Sequence, residues 1–295
     1  MRRSSAKKLA KLPVPVLLAI IVIAIIAVAA QRFLTSETPP SVVDSAEFHF
    51  IDVGQGDAVL IRTPSGDVLI DAGKNSSEEA LDAYLKAQGV KAIEYAIFTH
   101  PHEDHIGGAD MVINNYDIKN VILPNCPSTT KTYTNMLSAI SKKNVTTKEA
   151  HSGDKYRIGE LVLNILGPVR NDYEEVNDHS IVILAEWGGT RVMLAGDAEL
   201  EAENDILEKF GNSNINCNIL KLGHHGSSSS SGEKWLKALD PDIGIICCGK
   251  DNEYGHPHSE IVERLSKHGI KSYRTDELGS LVFVSDGSTV SQKKD

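Results

Sequence analysis

One stretch of the chain, Thr99-His100-Pro101-His102-Glu103-Asp104-His105-Ile106-Gly107-Gly108, places four potential metal ligands within six residues. Their order is His-x-His-x-Asp-His. Imidazole and carboxylate groups hold zinc-like ions while leaving coordination positions open for water. A solvated loop has no reason to collect these side chains at this spacing, even in a chain with 11 histidines. The stretch therefore indicates a metal-dependent hydrolytic site.

Other residues of the ligand type lie beside predicted apolar strands. Asp71, Asp197 and the pair His224-His225 each follow such a strand, and His179 precedes one. Taken alone, an aspartate at a strand end is usually a helix cap, and a single histidine usually belongs to the core or the surface. Because the loops at strand ends gather on one edge of a sheet, the recurrence of these residues predicts a single shared site.

The N-terminal part of the chain differs in kind from the rest. Apart from two prolines, residues 12–30 are apolar throughout, which is long enough to cross the hydrocarbon layer as a helix. Basic residues precede this run, and no acidic residue occurs before Glu37, so the N-terminus is expected in the cytoplasm. We expect a cytoplasmic basic segment at 1–11, a transmembrane signal anchor at 12–30, a linker at 31–45 and an extracytoplasmic hydrolase domain at 46–295. A signal peptide cleaved near Ala27-Val28-Ala29, giving a secreted protein, is the alternative.

Charge limits the possible partners of the exported domain. Six of the 30 basic residues precede Phe33, so the remainder carries 24 Lys and Arg against 40 Asp and Glu, a net charge of −16. Such a domain repels polyanions in general, which argues against tight, non-specific binding of nucleic acid. Cleavage of a nucleic acid at a dicationic site remains compatible with this charge.

The four cysteines carry little information. One disulfide is possible in an exported chain with this number. Cys247 and Cys248 belong to an apolar run and are expected as buried strand residues. Because no Cys-x-x-Cys spacing occurs, the cysteines are not expected to bind metal.

Hydrophobic patterning predicts an α/β (α+β) fold in which strand-rich blocks alternate with helices. Such a pattern is typical of two sheets covered by helices on their outer faces. The predicted helices span 77–88, 199–210, 233–239 and 259–268. The predicted strands span 47–53, 58–62, 67–71, 96–98, 161–166, 181–186, 191–194, 218–222, 243–247, 272–274 and 280–284.

The order of these motifs resembles the metallo-β-lactamase superfamily over roughly Phe48 to Val284. Four strings are most similar to the hydrolase domain of ComEC-type DNA-uptake proteins. They are His49-Phe50-Ile51-Asp52-Val53-Gly54-Gln55-Gly56-Asp57-Ala58, the stretch from Thr99 to Gly108, Lys221-Leu222-Gly223-His224-His225-Gly226-Ser227, and Tyr254-Gly255-His256-Pro257. The resemblance implies the αββα sandwich, with a site for two divalent metal ions on one edge.

The resemblance also implies a ligand set, with zinc or manganese as the metal. One ion would be held by His100, His102 and His179, the second by Asp104, His105 and His225, and Asp197 would bridge both. Either histidine of the pair 224–225 fits the family string. We assign His225 to the metal and His224 to the oxyanion or substrate.

Further residues have expected supporting roles. With Asp104 and His224, His256 is expected to take part in catalysis, as a proton donor to the leaving group, whereas His258 is expected at the surface. Asp71 is expected to orient a ligand histidine. Glu199 either acts likewise or only begins a helix. The turn Gly54-Gln55-Gly56-Asp57 is expected to lie beside the metals, with no firm role for Asp57.

These features together predict hydrolysis of a phosphoester by a metal-activated hydroxide, with DNA or oligonucleotides as the substrate class that the resemblance implies. A phosphodiesterase for a small substrate, such as surface phosphocholine groups, is the alternative that the domain charge favours. A β-lactamase fits the motifs less well. A surface binding module with a structural metal is also less favoured, because structural zinc sites are usually closed and rich in cysteine.

Overall fold

The computed structural model describes residues 45–211 and 214–293 of the chain. The transmembrane anchor expected at 12–30 lies outside these residues, as does nearly all of the expected linker. Within the described ranges, no helix combines the length and the apolar character that a membrane crossing requires.

Fifteen strands occur in the described residues, and they form two sheets. In chain order they are β1 (Ala46–Phe50), β2 (Val59–Thr63), β3 (Gly66–Ile70), β4 (Ala92–Ile97), β5 (Asp117–Leu123), β6 (Thr146–Glu149), β7 (Lys155–Ile158), β8 (Leu161–Gly167), β9 (Val182–Trp187), β10 (Thr190–Leu194), β11 (Ile219–Lys221), β12 (Ile243–Ile246), β13 (Lys271–Arg274), β14 (Leu281–Ser285) and β15 (Val290–Gln292). The first sheet has the order β15-β14-β1-β2-β3-β4-β5-β6 and the second β13-β12-β11-β10-β9-β8-β7.

Each sheet has one parallel and one antiparallel part. Strands β3 to β6 are mutually parallel, as are β10 to β13, and the remaining pairs are antiparallel. All strands of a parallel set end on the same edge, so the loops that follow them lie side by side. The two parallel parts therefore supply the loops from which a site can be built.

The main core lies between the two sheets and follows the period-two pattern of the strands. On β1, Phe48 stands opposite Ile61 of β2 and Phe283 of β14, and all three side chains are fully buried in the layer between the sheets. The alternate residues Leu60 and Leu69 belong instead to the core beneath the outer helices. Opposite faces of one sheet thus pack against different layers, which fixes the register of the strands.

Helices cover both outer faces of the sandwich. They are α1 (Glu78–Ala87), α2 (Glu103–Ile106), α3 (Ala109–Asn115), α4 (Lys131–Lys143), α5 (Leu200–Phe210), α6 (Glu233–Leu239), α7 (Ser259–Lys267) and α8 (Thr275–Leu278). Buried side chains of α1, α3 and α4 pack on the first sheet, and those of α5, α6 and α7 pack on the second. The predicted αββα arrangement of the domain is confirmed.

Most elements lie within a few residues of their predicted bounds, but the segment from α2 to β7 was not resolved by sequence patterning. Helix α4 shows why. Only Met136, Ala139 and Ile140 of its 13 residues are buried, so its apolar stripe is narrow in an otherwise polar sequence. A lysine-rich segment of this kind gives a weak signal of period 3.6.

The two glycines that end the histidine stretch have a steric purpose. Gly107 has ordinary helical dihedrals, yet a Cβ atom there would lie 2.1 Å from the backbone nitrogen of Asn75 and 2.6 Å from the carbonyl oxygen of Gly73. The end of α2 therefore packs directly on the loop after β3. This close approach is what brings the ligand histidines beside Asp71.

We expect Gly107→Ala to destabilise the protein by about 3 kcal/mol, because the added methyl group meets backbone that cannot rotate away. Gly89→Ala is a suitable control: Gly89 has φ of +72° but open space around its Cβ position. Backbone strain there should cost only about 1 kcal/mol. Urea unfolding of the two variants measures the difference, and an equal or smaller loss at Gly107 would contradict the steric explanation.

Candidate metal centre

Four side chains from three distant parts of the chain converge where the two sheets meet. Asp104, His105, Asp197 and His225 each offer a ligand atom, and these atoms all lie within 4.8 Å of one another. The Nε2 atom of His105 is 3.1 Å from an oxygen of Asp197. The Nε2 atom of His225 is 3.2 Å from Asp104 and 3.4 Å from Asp197. The ligand atoms of the four side chains therefore surround one point, at which a single ion could contact all of them.

His100 and His102 form a second group beside the first. The Nε2 atom of His100 lies 3.0 Å from Nδ1 of His102 and 3.9 Å from Asp197. Asp197 therefore stands between the two groups, as the bridging role that the resemblance implies would require. His100 is buried, whereas His102 lies at the wall of a cavity.

A buried carboxylate orients the histidine stretch from behind. The Nδ1–H of His105 donates to Asp71 at 2.7 Å, and Asp71 also accepts from the amide and hydroxyl of Thr99, both at 2.7 Å. The hydroxyl of Thr99 lies 3.1 Å from Nδ1 of His100. With Nδ1 engaged in this way, both rings present the lone pair of Nε2 to the centre. Asp71 thus occupies the supporting position that we expected.

His225 is held in the same manner by the backbone. Its Nδ1–H donates to the carbonyl of Cys247 at 2.9 Å, directly after β12, and its Nε2 faces Asp104 and Asp197. The Nε2 atoms of His105 and His225 are buried and form no hydrogen bond of good geometry, and the same is true of Oδ1 of Asp197. Buried polar atoms left in this state are costly. A cation at the common point would satisfy both histidine nitrogens, so the donor set fits a metal ion.

The electrostatics of the cluster point the same way. Burial alone would raise the pKa of Asp197, but the adjacent His105 and His225 hold it well below its usual range. Burial alone would lower the pKa of His105, but Asp197, Asp71 and Asp104 raise it well above its usual value. The carboxylates therefore create a strong local attraction for positive charge. Divalent cations compete with protons for such ligands.

A buried ion pair that sequence reasoning missed supports the cluster. Lys221, at the end of β11, is 1% exposed; its Nζ contacts Asp57 and donates to the carbonyl of Gly196 at 2.9 Å. Asp57 in turn lies 3.3 Å from Nδ1 of His225. Burial lowers the pKa of Lys221, but Asp57 and Asp197 raise it further than burial lowers it, so the lysine stays charged. A lysine inside the apolar strand Ile219–Lys221 was the available signal.

The turn from Gly54 to Asp57 lies directly on the histidine stretch. The amide of Asp57 donates to the carbonyl of Asp104 at 3.1 Å, and a Cβ on Gly56 would lie 2.3 Å from that same oxygen. The turn therefore lies beside the candidate metal centre, where we expected it.

His179 is not brought into the cluster. Its Nε2–H donates to the carbonyl of Tyr173 at 3.1 Å, and its ring packs edge-on against the Tyr173 ring. Its Nδ1 is buried without a hydrogen-bond partner. Asn177, two residues earlier, lines the cavity instead and donates to Glu199 at 3.0 Å. The role of His179 as a ligand stays a prediction.

His224 and His225 take opposite directions although they are adjacent. Both have positive φ, 44° and 53°, which is uncommon for residues other than glycine. This conformation turns His225 inward, while His224 donates from Nδ1 to Glu199 at 2.9 Å. The hydrogen bond from His224 is the main cause of the lowered pKa of Glu199. Glu199 therefore orients a histidine that lies at the cavity wall.

An open cavity of about 420 Å³ borders the cluster. The residues of the candidate metal centre and its neighbours that line the cavity are His102, Asp104, Asp197, His224 and His225. The remaining wall is formed by Gln55, Lys74, Glu103, Asn177, Glu253, Tyr254 and His256. The site is thus accessible to a substrate from solvent.

His256 reaches the cavity, and His258 does not line it. His256 is 8% exposed, lies 3.5 Å from the amide nitrogen of Gln55, and has a pKa lowered to about 4, mainly by burial. It is therefore neutral near pH 7. His258 accepts from the amide of Ser228 at 2.9 Å and donates to the carbonyl of Tyr254 at 3.2 Å. His258 therefore connects the loop of Ser228 to the loop of Tyr254 by hydrogen bonds, and it is not simply a surface residue.

The cysteines take no part in the cluster. All four are free thiols, so the disulfide that their number permits is not formed. Cys247 and Cys248 are buried, as expected, but they directly follow β12 and lie outside it.

We expect Lys221→Met to destabilise the protein by about 3–5 kcal/mol, because it leaves Asp57 as an unpaired buried carboxylate. The double variant with Asp57→Asn should recover part of this loss. As a control, Lys119→Met removes an exposed ion pair with Asp117 and should change little. Chemical unfolding measures all three, and equal effects at positions 221 and 119 would contradict the supporting role of the buried pair.

The sequence of the chain is similar to those of known proteins. The chain is 33% identical to ComE operon protein 3 of Bacillus subtilis over 83% of its length, and 28% identical to competence protein ComA of Neisseria gonorrhoeae over 79%. It spans only 34% and 31% of the lengths of these relatives. The resemblance to competence proteins is therefore confirmed for a part of each relative.

A solved structure and a family description identify the fold. The metallo-β-lactamase fold protein YhfI of Bacillus subtilis matches with a TM-score of 0.54 and 10% identity, covering 82% of this chain and all of that one. At this identity, the match supports the fold alone. The family model for the metallo-β-lactamase superfamily matches residues 51–250, which include every member of the cluster. The chain belongs to the metallo-β-lactamase superfamily.

Proposed function

We propose that this protein is a two-metal phosphodiesterase that acts on nucleic acid or on oligonucleotides. The observation that carries the proposal is the convergence of Asp104, His105, Asp197 and His225 on one point beside an open cavity. The superfamily is one of metal-dependent hydrolases, and the relatives include a protein named for competence. The kinship with competence proteins favours a phosphodiester of nucleic acid as the substrate.

In this proposal, His100 and His102 would hold one ion, and Asp104, His105 and His225 would hold a second. Asp197, which lies between the two groups, would serve both. When bound, two divalent cations, zinc or manganese, would lower the pKa of a bound water and offset the negative charge of a phosphoryl transition state. Since the rings of His100, His105 and His225 are already fixed through Nδ1, little reorganisation of these three residues is needed on binding.

His224 is the residue that we assign to the substrate. Its Nδ1–H donates to Glu199, which leaves Nε2 as the nitrogen available to the cavity. From the cavity wall this ring can contact a phosphoryl oxygen or the leaving oxygen of the substrate. His256, which the resemblance suggested as the proton donor, is neutral near pH 7 and suits that role less well.

A small zwitterionic phosphodiester, such as a phosphocholine ester, is the second candidate. The cavity wall contains Glu103 and Glu253, and the domain after residue 32 has a net charge of −16. Both features favour a zwitterionic substrate over a long polyanion. We place nucleic acid first because Lys74 also lines the cavity and because the relatives are competence proteins.

The central prediction concerns Asp104→Ala. We expect purified protein to bind two divalent ions per chain and to hydrolyse bis(p-nitrophenyl) phosphate only when metal is present. Asp104→Ala should bind fewer ions and lose at least about a hundredfold in rate, because it removes a ligand of the hydroxide-forming centre. Calorimetric metal titration and release of p-nitrophenol measure the two effects.

His151→Ala is the matched control for that experiment, because His151 is exposed and lies outside the cluster. It should bind and react as the wild type does. Metal-loaded wild-type protein that cleaves no phosphodiester would instead favour a binding module. Comparison of single-stranded DNA with phosphocholine esters then decides the substrate class.

We also propose that the domain is anchored outside the cytoplasm by residues 12–30, on the basis of their apolar composition and the preceding basic residues. The protein should stay in the membrane pellet after carbonate washing of cells that produce it. External protease should digest the domain in cells whose outer layers have been opened and whose cytoplasmic membrane is intact. Protection under those conditions would refute the orientation, and a shortened soluble product would indicate signal cleavage.

A further inference from the structure

Tyr254 stands out at the mouth of the cavity. Its side chain is 54% exposed, whereas the other tyrosine, phenylalanine and tryptophan side chains of the described residues are buried or half-buried. It lines the same cavity as the candidate metal centre. An aromatic ring exposed to this extent beside a site is a surface that water solvates poorly, and such rings commonly contact ligands.

The loop that carries Tyr254 holds the ring in place. The side chain of Asn252 accepts from the amide of His256 at 2.9 Å and donates to the carbonyls of Gly249 and His256 at 2.8 and 2.6 Å. His258 donates to the carbonyl of Tyr254 itself. The Tyr254 ring stacks on His256, with centroids 5.6 Å apart and planes 23° from parallel. One face of the ring is thus supported by the buried His256.

The composition of the cavity wall limits what this ring can bind. Quaternary ammonium groups are typically bound in cages of several aromatic rings. Among the described residues of the wall, Tyr254 is the one phenylalanine, tyrosine or tryptophan. A single flat ring, stacked on a second ring from behind, suits a planar partner instead. Nucleobases stack on such platforms with little dependence on sequence.

We propose that Tyr254 is the platform on which a nucleobase of the substrate stacks, next to the phosphodiester at the metal centre. This inference rests on the phosphodiesterase function proposed above and specifies how its substrate is selected. Lys74, on the same cavity wall, is the cationic side chain available to an adjacent phosphate. Recognition is then of a base followed by a phosphate, without a requirement for one particular base.

Three substrates with one leaving group test the proposal. They are the p-nitrophenyl esters of thymidine 5′-phosphate, of phosphocholine and of methyl phosphate, assayed with wild type, Tyr254→Ala and Tyr254→Phe. Wild type should prefer the thymidine ester over the methyl ester. Tyr254→Ala should raise KM for the thymidine ester about tenfold, leaving the methyl ester unchanged, and Tyr254→Phe should retain the preference.

A binding readout makes the test independent of turnover. In saturation-transfer NMR with millimolar thymidine 5′-(methyl phosphate), the thymine protons should receive more saturation from wild type than the ester methyl does. Tyr254→Ala should abolish this difference, and Tyr254→Phe should keep it. The measurement applies whether or not the protein hydrolyses the compound.

The outcomes separate the two proposals. If no ester is cleaved but thymine still contacts the protein through Tyr254, the proposed phosphodiesterase function fails and the base-binding platform stands. If Tyr254→Ala weakens all three substrates equally, the platform is refuted, because the ring then contacts the leaving group. A loss confined to the phosphocholine ester also refutes it and indicates cation–π binding.

Discussion

Three carboxylates are buried at the edge where the two sheets meet, and the surrounding structure balances their charge. Asp71 is 1% exposed, and Asp57 and Asp197 are each 2% exposed. An unpaired carboxylate in such a position is strongly destabilising. Asp71 is satisfied by His105 and by Thr99. Asp57 is paired with the buried Lys221. Asp197 retains a buried oxygen without a hydrogen bond, and this is the charge that a bound cation would balance.

The sandwich makes this concentration of charge possible because it brings the ends of two parallel strand sets to one edge. Asp71 follows β3 and His100 follows β4 in one sheet, whereas Asp197 follows β10 and His225 follows β11 in the other. The ligands therefore rest on the ends of regular strands rather than on long free loops. The absence of a side chain at Gly107 allows the two loops of the first sheet to touch. Rigid placement of this kind lowers the reorganisation that metal binding demands.

Two sequence patterns predicted the site, and each of them has few other structural explanations. Most of the cluster was indicated by the spacing of the histidine stretch and by the ligand-type residues that follow apolar strands. The ends of parallel strands lie at one edge of a sheet regardless of the conformation of the loops. The partners behind the ligands were harder to predict. Lys221 is one charged residue in a short apolar strand, and its pairing with Asp57 joins positions 164 residues apart in the sequence. The direction of His179 is set by a backbone carbonyl, which no residue pattern encodes. Helix α4 was missed because tertiary contacts bury only a narrow stripe of it.

The net negative charge of the domain is compatible with the proposed nucleic-acid substrate because the proposed recognition is local to the cavity. Long-range repulsion from a net charge of −16 acts on every phosphate of a polyanion. The attraction of a metal pair acts only on the phosphodiester that reaches it, and salt screens the repulsion beyond about 10 Å. In the proposed binding mode, a substrate would be held by one phosphate at the metal centre and by an uncharged contact with Tyr254 in the same cavity. Stacking on Tyr254, as proposed above, would not be screened by salt and would gain in relative weight as ionic strength rises. A platform for a flat, uncharged group is what an acidic domain needs in order to select nucleic acid without an extended basic surface.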